Sequence, residues 1–101
     1  MQAGNVIYEI LAVVEERHRS AWELYMRTEH VPEVIAAGGF LGASLLRGEP
    51  GRYRVRYVAP DRAQLERYRR EVAPALRQAA LDRFPDGVAL DREEWDVVAG
   101  W

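Results

Sequence analysis

Histidine and arginine are the side chains in this sequence best suited to chemistry, and few others compete. His30 stands beside Pro32 at the end of an apolar helical pattern, where side chains often point into a cleft. An imidazole there titrates near neutral pH and could act as a general base; the simpler role is a capping or structural histidine. Glu9 interrupts an apolar run, and Arg54 and Arg56 alternate with Tyr53, Val55 and Tyr57 in another. One carboxylate beside two guanidiniums is a satisfied arrangement, whereas a lone buried Glu9 would be costly. Such a cluster either neutralises itself inside an interface, the simpler case, or offers surplus positive charge to an anionic small ligand. Trp22, Trp95 and Trp101 could line a pocket, although such residues more often build a core or an interface. The candidate site is therefore His30 as the catalytic base, with Glu9, Arg54, Arg56 and Trp22 as ligand-binding residues.

Much other chemistry is excluded. The chain has no cysteine, so it has no disulfide, no thiolate nucleophile and no Cys-type metal site. All basic residues are arginine, which removes Schiff-base chemistry. His18 and His30 lack the spacing of a helical metal pair, and no metal site is expected. Ser20 reads as a helix cap, while Ser44 and Thr28 have no evident base beside them. Gly38, Gly39 and Gly42 do not form a phosphate loop. A net charge of −2 argues against a nucleic-acid partner. No run reaches the roughly 18 apolar residues of a membrane span, and no leader pattern is visible, so a cytoplasmic protein without a membrane partner is expected.

The elements that must hold these residues read clearly. Residues 6–14 form a strand rich in β-branched and aromatic types, apolar on both faces apart from Glu9. Ser20 and Glu23 fit a capping box, with an earlier helical start within residues 15–19 as the alternative, and Trp22, Tyr25, Met26 and Glu29 follow at helical spacing. Val31-Pro32 predicts an interruption, after which Pro32 opens a short helix that Gly38-Gly39 ends. Residues 40–46 and 52–58 read as a hairpin around Gly48–Gly51. A second long helix starts at Asp61, capped with the help of Gln64, and Pro74 should split it near 70–73. A last, weaker strand falls within 88–98. Its surroundings, residues 82–96, carry six acids against two arginines and read as solvated surface.

The 101 residues make a single domain of the α+β class. The order β-α-β-β-α-β and the right-handed crossover rule favour a ferredoxin-like, four-stranded antiparallel sheet ordered 4-1-3-2, with both helices on one face. Glu9 then shares the opposite, open face with Arg54 and Arg56. That face carries more apolar strand surface than the chain can cover, and a second copy of the chain is the simplest cover.

The IYEI start of the first strand, Trp22, His30-Val31-Pro32-Glu33-Val34, Gly39-Phe40, Tyr53-Arg54-Val55-Arg56-Tyr57, Ala73-Pro74 and Phe84-Pro85 together resemble an uncharacterised bacterial family of the dimeric α+β barrel superfamily. The resemblance implies a ferredoxin-like protomer whose sheet packs on that of a second protomer. The wider superfamily includes cofactor-free monooxygenases, haem-degrading monooxygenases and small isomerases, with sites between sheet and helices. Only Asn5 matches the haem-degrading branch. Residues 61–84, where its histidine ligand belongs, contain none, and no cofactor is expected.

Three functions follow. The first is a homodimeric small-molecule-binding or accessory protein of unassigned activity, taking a small anionic or aromatic ligand between sheet and helices. The second is a cofactor-independent monooxygenase or isomerase acting on a small aromatic or enolisable substrate. His30 would be its base, and Arg54 or Arg56 would stabilise a developing enolate or phenolate. The third, an RNA-binding module, is disfavoured because Tyr53 and Tyr57 fall on the helix-facing side.

Overall fold

The computed structural model describes residues 1–101. Strand β1 (Val6–Val14) is followed by a short 3-10 turn (Glu16–His18), helix α1 (Arg19–Tyr25), a π-helical turn (Met26–His30) and helix α2 (Val31–Gly38). The hairpin β2 (Gly42–Arg47) and β3 (Arg52–Ala59) comes next, then α3 (Arg62–Glu71), α4 (Ala73–Arg83) and β4 (Val88–Asp96). The sheet is antiparallel in the order β2-β3-β1-β4, as the crossover rule requires. No helix is long and apolar enough to cross a membrane.

Alternation in the central strands assigns the faces. Val6, Tyr8, Ile10, Ala12 and Val14 of β1, with Tyr53, Val55, Tyr57 and Ala59 of β3, pack beneath the helices in the core. From above, Trp22, Tyr25, Met26, Val34, Leu65, Tyr68, Ala73 and Phe84 close onto them. Aromatic edges dominate the contact: the Phe40 ring lies 5.1 Å from that of Tyr57 and 4.8 Å from that of Tyr68. On the other face, Ile7 sits between Val58 and Trp95, Glu9 between Arg56 and Glu93, and Leu11 between Arg54 and Asp91.

Two helix boundaries differ from the sequence expectation. Ser20 lies inside α1 and caps nothing; the earlier start within residues 15–19 is the one adopted, through the 3-10 turn and with no side-chain cap at His18. Val31-Pro32 does not break the helical path either. Val31 keeps helical dihedrals, and its N–H reaches the Met26 carbonyl, one residue further back than in an α-helix. That wide turn places Pro32 in the first turn of α2, the helical position where proline is best tolerated. The division at Pro74 occurs as expected, with Val72 between α3 and α4 departing from helical geometry at φ −115°.

The α2 C-terminus and the α3 N-terminus are joined through one residue. Asp61 accepts the backbone N–H of Gln64 at 2.8 Å, capping α3, while the Gln64 side-chain amide donates to the Gly38 carbonyl. Gly39 makes this possible by adopting a left-handed φ of 75°. A Cβ on Gly39 would stand 2.6 Å from the Gln64 amide nitrogen. Gly39→Ala should therefore cost about 2 kcal/mol, combining left-handed strain with loss of that bond. Gly48→Ala, where an added Cβ meets only the Arg52 carbonyl at 3.9 Å, should stay within about 0.5 kcal/mol of wild type. Urea unfolding midpoints of the two variants check this pair.

Candidate functional site

A cleft of about 130 Å³ opens between the sheet and the helices. Its floor is aromatic: Tyr8 from β1, Tyr57 from β3 and Tyr68 from α3. Trp22, Met26 and His30 supply one wall from α1 and the π-helical turn, while Ala80, Leu81 and Phe84 supply the other from α4 and its end. Ile10 of β1, Val88, Leu90 and Arg92 of β4, and Arg77 of α4 complete the lining, and no acidic side chain takes part. Trp22, Met26 and the three tyrosines are buried, whereas Leu81, Leu90, Arg77 and Arg92 are exposed at the mouth.

The π-helical turn delivers His30 to this cleft. Its ring packs 5.9 Å from that of Tyr25, and its Nδ1 is buried with no hydrogen-bond partner. Burial holds the His30 pKa below the ordinary imidazole value, opposed in part by the nearby Glu33 carboxylate. The ring is therefore neutral at physiological pH, and one of its nitrogens has no partner within the protein.

Tyr8 has the opposite condition. Its hydroxyl oxygen accepts one hydrogen bond from Arg77 Nη2 at 2.7 Å and another from Arg92 Nε at 3.1 Å. The Arg69 guanidinium lies 5.8 Å from the same ring centre. Burial, with Tyr8 alongside, pushes the Tyr68 hydroxyl up to about 12, despite the opposing pull of Arg77 and Arg92. Burial raises Tyr57 further, so both remain neutral phenols.

Glu9 lies across the sheet from this cleft, among Arg54 and Arg56 as expected from the alternation. Its Oε1 is 3.0 Å from Arg54 Nε and its Oε2 3.0 Å from Arg56 Nε. Both carboxylate oxygens are thus occupied by side chains of the same chain.

The sequence-derived site therefore divides in two. His30 and Trp22 meet in the cleft; Glu9, Arg54 and Arg56 meet on the open face. The pairing of His30 with Arg54 or Arg56 in one catalytic centre does not occur, because β3 points its even-numbered side chains away from the helices. Two arginines not singled out in the sequence, Arg77 and Arg92, share the cleft with His30 instead. A signal for them exists. Arg77 follows Ala73 by one helical turn on the packed side of α4, and Arg92 alternates with Val88 and Leu90 on the side of β4 facing Tyr8. The solvated-surface reading of residues 82–96 holds for most of β4 but not for Arg92, nor for Glu94, which pairs with Arg62 and Arg69. Asn5 holds the chain together: its side chain donates to the Pro60 carbonyl at 3.1 Å and accepts the Gln2 N–H at 2.8 Å.

Residues 5–98 match the family described as Domain of unknown function (DUF4286). The chain belongs to this family. Among curated proteins, no sequence matches it. Solved structures share its fold. SnoaB, a cofactor-independent oxygenase from Streptomyces nogalater, is 15% identical, with 94% of each chain covered and a TM-score of 0.74. A Caulobacter crescentus protein provisionally assigned as an antibiotic biosynthesis monooxygenase is 19% identical over 95% of this chain and 92% of that one, at a TM-score of 0.75. The heme-degrader MhuD from Mycobacterium tuberculosis, solved with two hemes bound in its active site, is 22% identical over 95% of this chain and 98% of its own, at 0.72. At these identities the likeness establishes the ferredoxin-like α+β fold of this DUF4286 member, the fold its sequence led us to expect.

The condition of His30 has a measurable consequence. Its folded pKa lies below the unfolded value of about 6.5, so beneath that pH the unfolded chain takes up a proton that the folded chain refuses. Stability should therefore fall as pH drops through about 6.5, and the loss should level off below the folded pKa. His30→Leu removes this component. Denaturant unfolding at pH 7.5 and 5.0 should show a larger acid-side loss in wild type than in the variant; equal losses would contradict the assignment.

Proposed function

We propose that this protein is a homodimeric small-molecule-binding domain whose ligand enters the cleft between the sheet and the helices. The orphan Nδ1 of His30 carries the reading. A buried ring nitrogen without a partner costs about 1–3 kcal/mol, and a polar atom of a bound molecule would recover it. The surrounding Tyr8, Trp22, Met26, Tyr57 and Tyr68 would take the apolar body of that molecule. At about 130 Å³ the cleft suits one or two aromatic rings and does not fit a haem such as MhuD carries. An oxygenase like SnoaB is not the favoured reading, since the arginines proposed to work with His30 lie on the other face.

The homodimer is proposed from the open face. Val13 and Trp95 are each 55% exposed and Leu46 is 42% exposed; together with Leu11 they form an apolar surface interrupted by the Glu9 cluster. Along it, β3 presents Arg52, Arg54 and Arg56, whereas β4 presents Asp91 and Glu93. A two-fold axis parallel to the strands sets the basic strand of each protomer against the acidic strand of its partner, which is a self-complementary surface.

Native mass spectrometry of freshly purified protein tests both parts. The expected mass is twice the 11.6 kDa chain, with a small molecule retained after gentle desolvation. Trp95→Glu should give the single-chain mass while keeping the wild-type circular dichroism spectrum, because Trp95 packs little within its own chain. A single-chain mass for wild type at high concentration would refute the dimer.

A further inference from the structure

We propose that the ligand is an aromatic carboxylate, with its ring on the tyrosine floor and its carboxylate held at the mouth by Arg77 and Arg92. This rests on the cleft being the binding site. The argument starts from unneutralised charge. Along the seam where α3 meets β4, arginines are paired: Arg62 meets Glu94 and Asp96, and Arg69 meets Glu94. Arg77 and Arg92 form no salt bridge. Their one shared side-chain acceptor is the neutral oxygen of Tyr8, and the cleft contains no acid. Asp91 accepts only the backbone N–H of Arg92, and its place in the register is on the opposite face of the sheet.

Two positive charges converging on one uncharged atom repel each other, and an anion between them would offset that repulsion. Each guanidinium commits one donor to Tyr8 and retains others for a planar, two-oxygen acceptor. Tyr8 contributes as well. With both lone pairs of its oxygen occupied by arginine donors, its own O–H can only donate. Arg77, Arg92 and Tyr8 are then a set of donors without an acceptor, at the edge of an aromatic floor. A carboxylate on an aromatic ring satisfies both parts, whereas a cation or a neutral hydrocarbon satisfies at most one.

Isothermal titration of the full chain with 2-naphthoate and with its uncharged counterpart 2-naphthamide tests the proposal. At low salt the carboxylate should bind about tenfold more tightly than the amide, and the difference should shrink in about 0.5 M sodium chloride. The combined variant Arg77→Gln, Arg92→Gln should bind the two compounds alike; Arg77→Gln alone should halve the preference or better if the double variant does not fold. Equal or tighter binding of the amide to wild type overturns the proposal and leaves the cleft itself standing. A carboxylate preference that survives the substitutions also overturns it, by placing the anion elsewhere. Failure of both compounds to bind removes the cleft reading and this inference together.

Discussion

The register of β1 between its two neighbours is the constraint on which both surfaces of this protein depend. Because side chains alternate along a strand, a shift of one residue would carry Glu9 beneath the helices and Tyr8 onto the open face. The pairings Tyr8 with Tyr57 and Glu9 with Arg56 exclude that shift. On one side they stack aromatic rings 6.1 Å apart in the core. On the other they place a carboxylate between two guanidiniums. A slipped register would bury a charge without a partner, a penalty of several kcal/mol that no gain elsewhere in a 101-residue domain offsets.

Above the sheet, one irregularity does what a regular helix would not. The π-helical turn at Met26–His30 lets the chain run from α1 into α2 without a loop, despite a proline that cannot sit in a helix interior. It also brings His30 into the cleft wall that Trp22 and Met26 began. Wide turns of this kind weaken local hydrogen bonding and survive where tertiary packing compensates. Here the compensating contacts are the buried faces of Trp22, Tyr25 and Met26 against the core.

The two surfaces handle arginine differently. On the open face Arg54 and Arg56 are balanced by Glu9, an arrangement complete within the protomer. In the cleft Arg77 and Arg92 are balanced by nothing charged, and His30 has a nitrogen left over. The same residue type is thus structural on one side of the sheet and uncommitted on the other. The difference lies in whether a carboxylate stands within reach, and not in exposure, since Arg54, Arg77 and Arg92 all face solvent.

The sequence by itself determined the order of the elements, the order of the strands and the faces to which the residues of β1 and β3 point. These follow from local periodicity and from the handedness of crossovers, both readable along the chain. It also determined the Glu9, Arg54 and Arg56 cluster, because neighbouring strands in a known order bring alternate residues together. The convergence of Arg77 and Arg92 on Tyr8 was decided by tertiary structure. Tyr8 meets Arg77 and Arg92 across 69 and 84 residues of chain, and long flexible guanidinium side chains leave no periodic mark of where their tips converge. The path through Val31-Pro32 was likewise settled by packing, since the local preference of a residue before proline is weaker than the burial of the aromatic face that the wide turn preserves.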